Sequence, residues 1–437
     1  MASASLESKA KLPTNYRWTV VTLTFIITII NYLDRSAISY AINPLKKEFN
    51  LTDTSFGFIA SAFSIGYMVM TVGGGILVDR YGARLVWSLS AFAWSACTAA
   101  LGICNGFWTL FFTRTMLGIA EGPNFPALTR AVTDWLPTEE RARATAWGLA
   151  AVPFANVIGA PLISHLIVHL SWQMMFFILG SLGIFWAILW HWLFTDRPED
   201  SPHCSKEEVA YIRQGQTQQA PSLAHEAPNK TTWKFMLLNP ALLSNNISFF
   251  AFGYLLFFAL TWLPAYLEET YHVHLKDAGT FLIAPWLTSA ILLTVAGYVS
   301  DYLWKKTGSI RVARSHMIWI CQLLSCLCFI PLLYVHDLNF SILMISLGVG
   351  LGLMPNAAFY ALNADLAHDR AATSLGVMDC FFALAGILAP AVTGILTDAT
   401  GNFNAAFILL MVLNIIGVIS VLVFQHPDKH LKTTTSG

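Results

Sequence analysis

Twelve long apolar runs separated by short polar segments follow one another along this sequence, and a helix needs about 20 such residues to cross the hydrocarbon core of a bilayer. The first six are Trp18–Tyr40, Phe56–Val78, Leu85–Ile103, Trp108–Thr133, Thr145–Leu170 and Met174–Phe194. After a polar stretch come Leu242–Leu267, Ala278–Tyr302, Val312–Val335, Phe340–Leu362, Ala371–Thr397 and Phe403–Phe424. Barrel strands would instead alternate with period two over about ten residues. The pattern predicts an all-α integral membrane protein with twelve transmembrane helices, the first an uncleaved anchor because no signal-peptide cleavage pattern precedes it.

The longest polar stretch, Asp196 to Lys234, divides the runs into two sets of six. This predicts an N-terminal bundle over 1–195, a cytoplasmic linker over 196–234 and a C-terminal bundle over 235–437. Within the linker, Ser205–Gln214 has acids early and Arg213 late, as a short surface helix prefers. The following QTQQAPSLAHEAPNK reads as flexible. A weak repeat supports the division. Gly75 is followed four residues later by Asp79 and then by Arg80 and Arg84; Gly297 is followed by Asp301 and then by Lys305 and Lys306.

Only 11% of residues are charged, against about 25% in soluble domains. Lys plus Arg and Asp plus Glu number 25 each, so no basic field exists to attract nucleic acid. Of the 25 cations, Arg35 and Arg114 lie deep in spans, and only Lys46, Lys47 and Lys276 fall on one side. The other 20 lie on the opposite side, which the positive-inside rule makes cytoplasmic, together with both termini. The seven cysteines have no metal or redox spacing. No zincin, nucleophile-elbow or nucleotide-loop motif is present, so an enzyme is not expected.

GGGILVDRYGAR at 73–84 resembles the signature loop of the major facilitator superfamily. Asn31-Tyr32-Leu33-Asp34-Arg35, Arg114 with Gly118 and Glu121, Pro123 with Phe125-Pro126, Asp134-Trp135-Leu136-Pro137 with Glu140-Arg141, and Ser171-Trp172-Gln173 narrow the likeness. Together they resemble the anion:cation symporter family, which includes bacterial galactonate and hexuronate transporters and, more distantly, sialin and the vesicular glutamate transporters. The resemblance implies the major facilitator fold, with two pseudo-symmetric six-helix bundles related by an axis along the membrane normal. It also implies a multi-pass protein of a bacterial inner membrane, acting as a monomer on a small organic anion. The proton gradient is then the coupling source, with no cofactor or metal.

Five ionisable residues stand inside spans: Asp34, Arg35, Arg114, Glu121 and Asp379. A charge at mid-bilayer costs at least about 2.5–3.5 kcal/mol, so each needs a partner or a function. Arg114 and Glu121, seven apart on one helix face, lie roughly 10 Å from each other and leave room for a ligand. Asp34 and Arg35 point about 100° apart. Fixed ion pairs are one reading. The other, supported by the resemblance, has Arg35 or Arg114 bind the anion with Tyr32 and Tyr67, while Asp34 and Glu121 exchange protons. Helix-end Asp79 is expected to pair with a neighbouring helix or with Arg84, forming cytoplasmic gating loops with Arg80, Arg84 and Asp301.

On the C-terminal side Tyr254 and Asn356 are further candidates for substrate contact, with packing as the alternative. Asp379 departs from the neutral Asn that the family typically carries there. It would meet a cationic or hydroxyl-rich part of the ligand, supply a second proton site, or pair with a polar neighbour. Helix 7 lacks the Arg of the vesicular glutamate branch. Pro153, Pro161 and Pro390 are expected to bend helices 5 and 11. Within transport, export or exchange of an organic acid or carboxylate siderophore is the rival reading; a transporter-like sensor is a further one.

Overall fold

The chain turns its apolar side chains outward. Val69, Ile103, Phe185 and Trp192 are exposed, whereas Asn31, Asp34, Glu121, Asn245 and Gln322 are buried. That inversion of the soluble-protein rule suits a molecule whose surroundings are hydrocarbon. A computed structural model describes residues 15–217, 238–367 and 371–427, and those residues are helical nearly throughout.

The N-terminal half of the chain begins with α1 (Tyr16–Tyr40), α2 (Ile42–Phe49), α3 (Asp53–Tyr81) and α4 (Ala83–Leu101). It continues with α5 (Phe107–Glu121), α6 (Asn124–Trp135), α7 (Thr138–His169) and α8 (Trp172–Leu193). A short helix α9 (Lys206–Thr217) follows at the expected place. The flexible stretch expected after it lies almost wholly outside the described residues.

The C-terminal half comprises α10 (Pro240–Tyr271), α11 (Leu275–Phe281), α12 (Ile283–Thr307), α13 (His316–Phe329), α14 (Leu338–Leu353), α15 (Asn356–Ala367), α16 (Ala371–Thr400) and α17 (Asn404–Phe424).

Among the described residues ten helices are long and apolar enough to cross a membrane. The third and fourth sequence runs are the two outside that set. Helix α4 is only 19 residues long and dilutes its Leu and Val with Arg84, Ser88, Ser90, Ser95, Trp87 and Trp94. The fourth run, read as one span, is broken between α5 and α6 at Gly122-Pro123. Pro123 has no N–H to return to the carbonyl four residues back, so the helix stops at Glu121. The indole N–H of Trp87 donates to Asn124 Oδ1 at 3.0 Å and holds the break against α4.

Among the described residues the halves meet mainly where α3 packs on α16 and where α7 packs on α11 and α12, with α1 also against α10. Along the first pair the backbones nearly touch. A Cβ at Gly57 would come within 2.5 Å of the Pro390 carbonyl, and one at Gly394 within 2.3 Å of the Asp53 carbonyl. Ser61 Oγ donates to the Ile387 carbonyl at 2.6 Å. Pro390 and Pro153 with Pro161 do lie inside the helices that meet across the halves, α16 and α7.

Polar bonds between the halves cluster at the same end. Asp398 accepts from the backbone N–H groups of Asp53 and Thr54 at 3.1 and 2.7 Å, capping α3. Lys46 donates to Asp53 and, at 3.1 Å, to Glu269, and Asn43 donates to Glu268 at 3.1 Å. Burial pulls the Lys46 ammonium pKa down, but its contacts with Asp53 and Glu269 raise it overall, so the latch is charged at neutral pH. The halves are therefore closed at the Lys46 end.

Candidate functional site

Helices α1 and α5 carry four of the five intramembrane charges. Arg35 reaches across from α1 to α5, where Nη2 and Nε donate to Glu121 Oε2 at 2.9 and 3.3 Å. Both side chains are almost fully buried. Arg35 and Glu121 are thus ion-paired in this conformation. Around the Arg35 guanidinium stand the rings of Tyr32, Phe63 and Tyr67 at 4.7, 4.7 and 5.0 Å. Cation–π attraction in so dry a place strengthens the hold.

Arg114 is placed differently. Its guanidinium lies 5.0 Å from the same Phe63 ring, but Nε and Nη1 are buried with no hydrogen-bond partner. One carboxylate oxygen of Glu121, Oε1, is also unsatisfied. An unpaired buried guanidinium is costly, and a bidentate anion is the ligand its planar fork fits. Arg35, Phe63 and Arg114 line a narrow cavity of ≈ 20 Å³, closed on the far side by Phe257, Thr261 and Pro390. That is room for about one water molecule, so the site is contracted in this conformation. The cavity lies where the two halves of the chain meet.

Asp34 points away from it. Fully buried, it sits beside Thr98 of α4, and neither of its oxygens is bonded. Asn31, Trp94, Ser95 and Thr98 also carry buried polar atoms without a partner. Such groups favour the uptake of water or a proton over a dry charge.

Asp379, on α16, is half-buried with the Tyr360 hydroxyl beside it. Tyr67 stacks on Phe63 and lies 5.0 Å from the Arg35 guanidinium. Tyr254 is buried among Phe250, Phe257 and Ala385 with its hydroxyl facing Thr393, away from the arginines. Asn356 is the first residue of α15, half-buried and outside the cavity wall.

At the signature loop Asp79 takes the neighbouring-helix alternative. Asp79 does not pair with Arg84; its partner is Arg130 of α6 at 3.5 Å, which also holds Asp134 at 2.7 Å. Arg84 instead donates twice to the His191 carbonyl, at 3.0 and 2.8 Å, and its backbone N–H to Asp196. The loop thus ties α4 to α8, which leaves Arg84 no reach toward Asp79. Arg80 lies exposed over the Tyr81 ring, and the Asp301 side chain lies outside the described residues.

Sequence reasoning missed Phe63, although it precedes Tyr67 by one helical turn and shares its face. It also missed Glu208 of α9. That buried carboxylate accepts from the backbone N–H groups of Tyr16 and Arg17, both at 3.1 Å, and from the Arg17 guanidinium at 3.0 Å. Arg17 continues to Glu140 of α7 at 2.9 Å.

Comparison with known proteins agrees with this architecture. The profile of the Major Facilitator Superfamily matches residues 24–310 and 303–437. The chain is 30% identical over 428 residues to the hexuronate transporter of Bacillus subtilis, covering 96% of each chain. To the probable galactarate/D-glucarate transporter of Escherichia coli it is 31% identical, covering 99% of this chain and 97% of that one. To the probable sulfoacetate transporter of Cupriavidus necator it is 29% identical, covering 91% of each. In fold it is similar to the crystal structure of a bacterial homolog of the human lysosomal transporter Spinster. There the TM-score is 0.73 at 17% identity, covering 95% of this chain and 98% of the other.

Proposed function

Because the chain belongs to the Major Facilitator Superfamily, a multi-pass membrane transporter family rather than an enzyme family, we propose that it is a proton-coupled symporter of a small organic anion. The observation that carries this is Arg114, whose Nε and Nη1 are buried, unbonded and part of a cavity wall between the halves. The relatives named for hexuronate, galactarate, glucarate and sulfoacetate support an organic carboxylate or sulfonate as the substrate class.

In this reading Arg114 takes the anionic group, and Arg35 contributes once Glu121 is protonated and releases it. Tyr32 and Tyr67 hold their rings against the Arg35 guanidinium. Charge counting supports proton coupling. Inside the helices stand two arginines and three carboxylates, Asp34, Glu121 and Asp379. With all five ionised the region carries a surplus negative charge, and an incoming anion deepens it. In a low-dielectric site that is unfavourable unless protons enter too. Glu121 and Asp34 are the groups assigned to take them.

Alternating access follows from the two ends. The Lys46 end is latched, so substrate enters or leaves through the opposite end until the latch opens. The proposal places the protein in a bacterial inner membrane as a monomer of two six-helix bundles, 1–195 and 235–437, joined by the 196–234 linker, with both termini cytoplasmic and no cofactor.

Purified protein is screened by thermal shift against hexuronates, aldarates and sulfonates, and the hits are followed by uptake into proteoliposomes. Uptake of a hit is expected to be driven by an inward proton gradient and lost in Arg114→Gln. Glu121→Gln is expected to retain exchange and lose gradient-driven accumulation. Accumulation that survives in Glu121→Gln removes Glu121 as the coupling acid.

A further inference from the structure

The cavity beside the arginines is not lined by charge and hydrocarbon alone. Ser39 of α1, Ser64 of α3 and Thr261 of α10 line the same ≈ 20 Å³ as Arg35 and Arg114. Ser39 stands one helical turn beyond Arg35 toward the latched end and continues its face. Ser64 follows Phe63, and its Oγ packs on Gly386 of α16, where a Cβ would come within 2.6 Å. Thr261 reaches in from the other half. The next residue, Trp262, donates from its indole N–H to the Pro390 carbonyl at 3.3 Å and meets the Phe56 ring edge-on at 5.7 Å. These contacts join the halves between the cavity and the latch. Ser39, Ser64 and Thr261 are all buried, yet no described residue hydrogen-bonds their side-chain hydroxyls.

We propose that Ser39, Ser64 and Thr261 read the hydroxyl on the carbon beside the substrate's anionic group, so that 2-hydroxy acids are selected over their 2-deoxy counterparts. The inference rests on the reading of Arg114 as the anion site. Its Nε and Nη1 offer two donors, which match the two oxygens of one carboxylate. The nearest further oxygen on such a ligand is the one on its second carbon. Each side-chain hydroxyl brings one donor and two lone pairs, so a group that both donates and accepts suits all three. A hydroxyl is also the size that the space admits. A methylene in its place would leave buried hydroxyls unmatched. Sites built to bond an oxygen reject the analogue lacking it strongly. Oxygens further along the ligand lie beyond this small space and are read elsewhere or not at all.

Gluconate, 2-deoxygluconate and 3-deoxygluconate test this, because each deoxy acid lacks one oxygen of the parent. Binding to the purified full chain is measured by calorimetry at about pH 7.5, where all three acids are ionised. Wild type is expected to bind gluconate at least about tenfold more tightly than 2-deoxygluconate, and within about threefold of 3-deoxygluconate. Ser39→Ala, Ser64→Ala and Thr261→Val are each expected to shrink the first ratio. Combined, they are expected to bring it within about threefold by weakening gluconate alone. Equal binding of gluconate and 2-deoxygluconate in wild type overturns the proposal, as does an unchanged ratio in the triple variant. Equal weakening of both ligands overturns it too, since the hydroxyls would then hold the carboxylate itself. Binding of none of the three acids also overturns it. Arg114→Gln separates the two levels. If it leaves gluconate binding intact, the anion-site reading itself fails. If it abolishes binding while wild type does not discriminate against 2-deoxygluconate, only the hydroxyl reading fails. Should the triple variant not fold, the wild-type ratios and the near-isosteric Thr261→Val still decide.

Discussion

Arg35 and Glu121, 86 residues apart in sequence, form a buried ion pair at 2.9 Å, and Arg114 is left beside them without a hydrogen-bonded partner. The two arginines therefore differ in what their loss does. Arg35→Gln strands a buried Glu121 carboxylate, and breaking such a pair costs about 3–5 kcal/mol. Arg114→Gln removes a buried charge that makes no hydrogen bond at Nε or Nη1, and is expected to leave thermal stability at or above wild type while abolishing anion binding. Detergent-solubilised thermal melts with and without ligand check both. The double variant Arg35→Gln/Glu121→Gln is expected to recover most of the lost melting temperature, since it removes both charges together.

Phe63 touches both guanidiniums through one ring, at 4.7 Å from Arg35 and 5.0 Å from Arg114. It sets where the free arginine sits. Phe63→Leu removes the ring attraction, about 0.5–2 kcal/mol per cation in a dry site. The expected result is a several-fold rise in KM with kcat little changed, and Phe63→Tyr restoring wild-type KM. A fall in kcat alone, or no rescue by Tyr, contradicts the positioning role.

How much of this was legible beforehand follows from what a sequence can reveal. The five intramembrane charges are conspicuous because hydrocarbon penalises each of them. The helices are conspicuous because crossing requires length. Pairing is not, since Glu121 takes its partner from α1 rather than from its own face. Asp79 likewise pairs with Arg130 and not with nearby Arg84, because Arg84 is spent on the His191 carbonyl. The break at Gly122-Pro123 hides inside a run that is apolar on both sides. Phe63 hides because an aromatic residue in an apolar helix looks like packing until the cations are placed.

The latch at the Lys46 end depends on backbone contact that only glycine permits. Gly394→Ala would put a methyl group 2.3 Å from the Asp53 carbonyl, and backbone cannot yield as a flexible side chain does. The expected consequence is a population shift toward the state open at this end. A cysteine introduced at Thr54, which Asp398 caps, is expected to react with an impermeant maleimide faster in Gly394→Ala than in the parent. Equal labelling rates would show that this contact does not hold the end shut.

The Asp79–Arg130 pair is expected to contribute little to stability, because the Asp79 side chain is 78% exposed and that of Arg130 45%. Exposed pairs are worth about 0–1 kcal/mol. Any effect of Asp79→Asn must therefore come from states in which the loop has other neighbours. Turnover is expected to fall with little loss of substrate affinity and almost no change in melting temperature. A large affinity loss with normal turnover would instead place Asp79 in contact with the substrate path.

The clamp formed by Glu208 predicts the opposite signature. It satisfies two backbone N–H groups at the start of α1 and the Arg17 guanidinium, which in turn holds Glu140 at the start of α7. Removing the carboxylate leaves the backbone N–H groups of Tyr16 and Arg17 without their acceptor, at about 1–3 kcal/mol each. Glu208→Ala is expected to lower the melting temperature and to speed proteolysis within α9, while ligand affinity in the folded fraction stays near wild type. Glu208→Gln keeps one acceptor oxygen and should fall between the two. An Ala variant as stable as the parent would mean that α9 is not anchored through this carboxylate.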